Sequence, residues 1–283
     1  MNVLRTAFCL LLACALTASA QGPTAMKNPP KLTITIVVEE APLKRDPSIM
    51  IRTVTGSGEA EYPNGTALQF GIRLKDDTKV IGRTQGFVTD KRWEIALQPF
   101  GKDIYHGVYV CQVDFDPELQ APGIVPKLPA DKRQRHSTTA EQKLGTDAEI
   151  AEERAEVTGY YRQVQGKIKT VYETVSAEYQ RQLTEKDAAA WSKVVAASTE
   201  TLQALDADLV QFRKKRINVM MAKSVDSLGS AILTLRDYLM DCYSMAIQNN
   251  GKPAMGMDPK QHEESVKTLL ERVDTLLAGG GDK

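Results

Sequence analysis

Residues 146–182, TDAEIAEERAEVTGYYRQVQGKIKTVYETVSAEYQRQ, decide how the second half of this chain folds. Ile150, Val157, Tyr161, Val164, Ile168, Val171, Val175 and Tyr179 recur at intervals of three, four or seven, laying one apolar stripe along a helix face. Thr146 and Glu149 form a capping box, in which hydroxyl and carboxylate satisfy the orphan N–H groups of the first turn. Gly159 and Gly166 interrupt the helix in propensity, at about 1 kcal/mol each, but not in pattern.

Working outward from this ladder, a second helix starts near Thr184 or Asp187, with Trp191, Val195, Ser198, Leu202, Leu205, Leu209 and Phe212 on one face. A third presents Leu228, Ile232, Leu235, Leu239, Cys242 and Ala246. The two stripes are out of phase, which places a break between Arg213 and Ser227; a single bent helix is the alternative. Asn249-Asn-Gly251 closes the third helix, and Asp258-Pro259 opens a fourth with an aspartate cap and a first-turn proline. Val266, Leu269, Leu270, Val273, Leu276 and Leu277 supply its buried face. Residues 146–278 are thus expected to make an antiparallel bundle of three to four long helices, with 279–283 as a disordered tail.

Upstream the period changes from helical to alternating. Short strands are expected at Leu32–Ile36, Ile49–Thr55, Ala67–Leu74, Val80–Arg83, Gly86–Thr89, Trp93–Leu97 and Val108–Phe115, with Asn64-Gly65 as a turn of positive φ. Gly107-Val-Tyr-Val-Cys111, a few residues after Asp103, resembles the penultimate-strand signature of immunoglobulin-like domains. The resemblance extends to fibronectin III-like and other bacterial sandwich modules. It implies that Tyr109 is a corner tyrosine bonded to upstream backbone and that Trp93 is a core aromatic. No cysteine between residues 21 and 110 is available to pair with Cys111, so the inter-sheet disulfide of antibody domains is ruled out.

The fold expected is therefore multidomain, all-β plus all-α: an antiparallel Ig-like β-sandwich over 31–116, a Pro-rich linker over 117–145, and the helical bundle. Pro117, Pro122, Pro126 and Pro129 mark the linker, followed by the basic Lys132, Arg133 and Arg135. At the other end, Arg5, the apolar run Ala7–Leu16 and Ala18-Ser-Ala20 read as a signal peptide over 1–20, followed by a disordered leader over 21–30. Export to a periplasmic or extracellular space follows. Leu11-Leu-Ala-Cys14 also resembles a bacterial lipobox, and the alternative is a lipid anchor on Cys14.

Thirty-six basic residues balance 36 acidic ones, which disfavours nucleic acid as a partner. Past the signal, no segment approaches the apolar length of a membrane span. His106, His136 and His262 fall in three separate regions, and His262-Glu-Glu lacks the second histidine of a zinc-protease helix. Glu152, Glu153 and Glu156 lack the Glu-x-x-His spacing of di-iron bundles. No catalytic residue and no cofactor is assigned. The expectation is a non-enzymatic envelope or extracellular interaction module, with a protein partner and the stripes also available for homo-oligomer contacts. One alternative is copper binding through Cys242, Met245, Met255, Met257 and His262, a soft-ligand set. Another is a carbohydrate-binding sandwich using Phe100, Tyr105 and His106 on an exposed loop. The basic run Arg213-Lys-Lys-Arg216 either complements a helix C-terminus or docks an acidic partner.

Overall fold

The computed structural model describes residues 29–77, 80–97, 104–247, 257 and 259–279. The signal segment, Cys14, Phe100, Met255 and the last four residues lie outside them.

Among the described residues seven strands come first: β1 (Thr35–Leu43), β2 (Asp46–Glu59), β3 (Ala67–Leu74), β4 (Val80–Phe87), β5 (Arg92–Ala96), β6 (Gly107–Phe115) and β7 (His136–Leu144). They form two antiparallel sheets, of order β1-β2-β5 and β4-β3-β6-β7. Alternation decides which side chains go inward. Leu68, Phe70 and Ile72 of β3 meet Tyr109, Cys111, Val113 and Phe115 of β6 and Trp93 and Ile95 of β5 in the buried interior. Gly65 takes the positive φ expected of the Asn-Gly turn. Val80–Phe87 is one continuous strand where the sequence pattern reads as two.

The stretch read as a linker is the main correction. His136–Leu144 is strand β7, paired along its whole length with β6. It escapes a hydrophobicity reading because it is an edge strand whose one buried residue is Leu144. Pro117 and Pro126 before it sit in short 3-10 turns and Pro129 caps a third, Ile124 and Leu128 flanking the second are buried, and the Gln120 amide bonds both the N–H and the carbonyl of Ala67. Two residues, Gly145 and Thr146, then separate β7 from the first helix. Gly145 has φ +84°, and a Cβ there would fall 2.5 Å from the His106 ring, so only glycine fits.

The four helices are α1 (Asp147–Glu185), α2 (Ala188–Lys214), α3 (Ala222–Ile247) and α4 (Pro259–Leu277). The capping box of Thr146 and Glu149 is present, with both reciprocal bonds formed. The break between α2 and α3 falls at residues 215–221, where Met221 adopts φ +56°. α1 packs on α2 and α3, and α3 packs on α4. Among the described residues no helix is long and apolar enough to cross a membrane.

Sheets and helices share one continuous apolar cluster, running from Leu32 to Leu277. A buried polar junction orients them. The Tyr109 hydroxyl donates to the Tyr105 carbonyl at 2.5 Å. Asn218, 1 % exposed in the α2–α3 connection, accepts from the Tyr105 N–H at 3.1 Å and donates to the Tyr109 hydroxyl at 3.0 Å. Glu153 of α1 accepts from the His106 N–H at 2.6 Å and pairs with Arg216 at 3.4 Å, while the Arg216 guanidinium lies 5.2 Å from the centre of the Tyr105 ring. Burial pushes the Tyr109 phenol above its ordinary pKa, so it stays a donor.

Candidate functional site

The register of the three-stranded sheet places side chains in rows on its solvent face. Thr35 lies opposite Ser57, and Ser57 opposite Glu94; in the next row Glu59 lies opposite Arg92. Their neighbours Val54, Trp93 and Ile95 point inward, so the outward positions are left to small hydroxyl and charged groups. Phe87 closes one side. It ends β4, on the same phase as the exposed Arg83 and Gln85, and is itself 59 % exposed.

Between these groups lies an open groove of about 800 Å³, within the range of small-ligand clefts. Its floor is rigid for identifiable reasons. The Trp93 indole N–H donates to the Thr33 carbonyl at 3.0 Å, and the Glu59 N–H donates to Thr33 Oγ1 at 2.8 Å. Gly58 is required there because any Cβ would collide with the Thr33 carbonyl. Two cations, Lys31 and Arg92, and two carboxylates, Glu59 and Glu94, leave the groove without net charge. Lys31 and Glu59 form an ion pair, and the hydrogen bond from Lys31 holds the Glu59 carboxyl below its usual range. None of the three histidines lines the groove, so its Thr35, Ser57 and Thr89 hydroxyls have no neighbouring imidazole base. The groove offers hydroxyls and two carboxylates beside an exposed aromatic ring.

The position of the groove along the sheets is informative. Phe87 pairs with Ala67 at the start of β3, whereas Tyr109 pairs with Leu74 at its end. The groove and the polar junction therefore lie about 20–25 Å apart along this eight-residue strand. The groove sits at the end of the sheets remote from the helices.

The residues singled out from sequence fall elsewhere. Tyr105 is 8 % exposed, held beneath Arg216 and bonded by Asn218, and His106 is engaged by Glu153; neither is on an exposed loop. Cys242 is fully buried, and burial pushes its thiol up to about 12. Met245 is buried where the Tyr179 hydroxyl reaches its sulfur at 3.8 Å, and Met257 packs partly buried against the core. His262 Nδ1 lies 3.2 Å from Asp241 Oδ2. Among the described residues no three His, Cys, Asp or Glu side chains are grouped to hold a metal ion. Cys111 and Cys242 are both free and buried.

Most cations of the two basic runs are engaged within the chain. Arg133 donates to the Leu128 and Pro126 carbonyls, Arg135 pairs with Asp116 and Glu118, Arg213 pairs with Asp226, and Arg216 pairs with Glu153.

No protein-family model, no curated protein and no solved structure matches the chain. The reading of the site therefore rests on its own chemistry. Phe87 is missed by the sequence reading; the signal that marks it is its place on the same phase as Arg83 and Gln85. Thr35, Ser57 and Glu94 carry no such signal, because their convergence depends on strand register.

Proposed function

We propose that this chain is an exported, non-enzymatic interaction module, an immunoglobulin-like or fibronectin III-like sandwich carried on an antiparallel helical bundle. The sheet orders β1-β2-β5 and β4-β3-β6-β7, together with the Tyr109 hydroxyl bonded four residues upstream, support the sandwich reading. The observation that carries the function is the placement of the groove. An exposed aromatic and a row of hydroxyls lie on paired strands at the end remote from the helices, and of the two carboxylates beside them Glu59 is tied to Lys31. Such a surface is suited to holding a ligand.

Native mass spectrometry of the mature chain, purified from the exported fraction under nonreducing conditions, tests this. A copurified species whose occupancy falls on Phe87→Ala substitution is expected. A chain that carries nothing, or whose bound species is indifferent to Phe87, overturns the reading.

A further inference from the structure

We propose that the groove beside Phe87 binds a neutral oligosaccharide, an assignment that rests on the interaction-module reading and names its ligand. A pyranose ring has two kinds of surface. Its C–H faces are apolar and stack on an aromatic ring, while its rim is a belt of hydroxyls that each donate and accept a hydrogen bond. The groove offers the matching pair. Phe87, 59 % exposed, is an aromatic face on which no ring of the described residues stacks. In the same groove, Thr35, Ser57 and Thr89 are hydroxyls able to play both roles, and the Glu94 carboxylate is a strong acceptor for a sugar hydroxyl.

Charge selects among ligand classes. A phosphorylated or sulfated ligand calls for unopposed cations, yet Lys31 is held by Glu59, Arg92 lies opposite that same carboxylate, and Glu94 adds a second negative charge to the lining. The hydrogen bond with Glu59 raises the Lys31 pKa. A basic ligand meets the same obstacle in reverse. A neutral, polyhydroxylated chain satisfies the groove without leaving a charge uncompensated. Its volume of about 800 Å³ and open ends suit a run of several sugar units rather than one enclosed monosaccharide.

The test is isothermal titration of the full mature chain with a panel of neutral glucan, mannan, galactan and chitin hexasaccharides, with a heparin hexasaccharide as the charged comparison. At least one neutral hexasaccharide is expected to bind. Phe87→Ala should weaken it about tenfold, the value of one aromatic contact. Thr35→Val, which keeps shape and removes the hydroxyl, should weaken it severalfold. Both variants should melt at the wild-type temperature, because these side chains are exposed. The proposal is overturned if no neutral hexasaccharide binds, if only the heparin fragment binds, or if Phe87→Ala leaves the affinity unchanged. A copurified protein lost on Phe87→Ala, with no saccharide binding, overturns the sugar and leaves the interaction reading standing; absence of both overturns both.

Discussion

Replacing Asn218 with alanine should loosen both halves of the molecule at once. The side chain is 1 % exposed and makes two bonds, one from the Tyr105 N–H and one to the Tyr109 hydroxyl. Its removal leaves the buried Tyr105 N–H without an acceptor, at about 1–3 kcal/mol, and forfeits a second bond worth about 1 kcal/mol. The sum, roughly 2–4 kcal/mol, is a large fraction of ordinary protein stability. Nature has supplied one reporter to each half: Trp93 in β5 and Trp191 in α2, the two tryptophans of the chain. Urea unfolding followed by fluorescence in Trp93→Phe and Trp191→Phe backgrounds isolates the helical and the sheet signal respectively. Because the apolar cluster is continuous and only Gly145 and Thr146 intervene between β7 and α1, the two transitions should coincide. Asn218→Ala should lower both midpoints together, by roughly 1 M. A shift confined to one reporter, or one equivalent to less than about 0.5 kcal/mol, would refute the view that this junction couples the halves.

Three further outcomes follow from local geometry. Asp90 and Lys91 form the β4–β5 turn with φ of 50° and 59°, so Lys91→Gly should relieve left-handed strain and stabilise the chain by about 1 kcal/mol; an unchanged or lower melting temperature counts against this. Cys111 and Cys242 are buried, and burial pushes both thiols up to about 12, so neither should react with a thiol reagent at neutral pH until the chain is unfolded. Rapid labelling of either cysteine in the native protein would show that its surroundings are open. Burial lowers the His136 pKa in the folded state, where its Nδ1 lies 3.0 Å from the Tyr62 hydroxyl. Unfolding therefore takes up a proton as pH falls: the contribution is full above the ordinary imidazole value and is lost as pH drops through the depressed one. Melting temperature should decline across that window in the wild type and less steeply in His136→Gln; parallel curves would exclude His136 as the cause.

Periodicity and capping made the helices legible, and their absence explains what was missed. The 3.6-residue stripe and the Thr146–Glu149 box locate α1, and the phase difference between two stripes places the α2–α3 break. The break carries no glycine or proline because Met221 itself takes the left-handed conformation, so punctuation alone would have overlooked it. β7 was mistaken for linker because an edge strand needs only backbone pairing, and Leu144 alone among its residues is buried. Tyr105 shows a different limit. A lone aromatic near a turn looks the same in sequence whether it faces solvent or an arginine more than a hundred residues away. Only the fold brings Arg216 over its ring and Asn218 to its N–H. The groove lies beyond pattern reading for the same reason, since Thr35, Ser57 and Glu94 meet through the register of a hairpin, β1 and β2, with β5, which follows more than thirty residues later.

The separation of junction and groove has an energetic rationale. A ligand held by one aromatic face and a few hydroxyls gains little per contact, so any ordering of the protein on binding would consume much of that gain. Here the contacting groups stand on paired strands. Thr33 is fixed by Trp93 and by the Glu59 N–H, and Gly58 permits its close approach. Little ordering then remains to be done when a ligand arrives. The buried Asn218, Tyr105 and Tyr109 bonds supply rigidity at the opposite end of β3, where polar groups restrict the angle between sheets and helices in a way that apolar packing alone does not. A weak site gains from such a mount when several copies act together, because a fixed direction keeps neighbouring grooves in reach of one extended ligand. Under the proposed function the helical half would contribute through orientation, and substitutions at Asn218 and at Phe87 should separate presentation from contact.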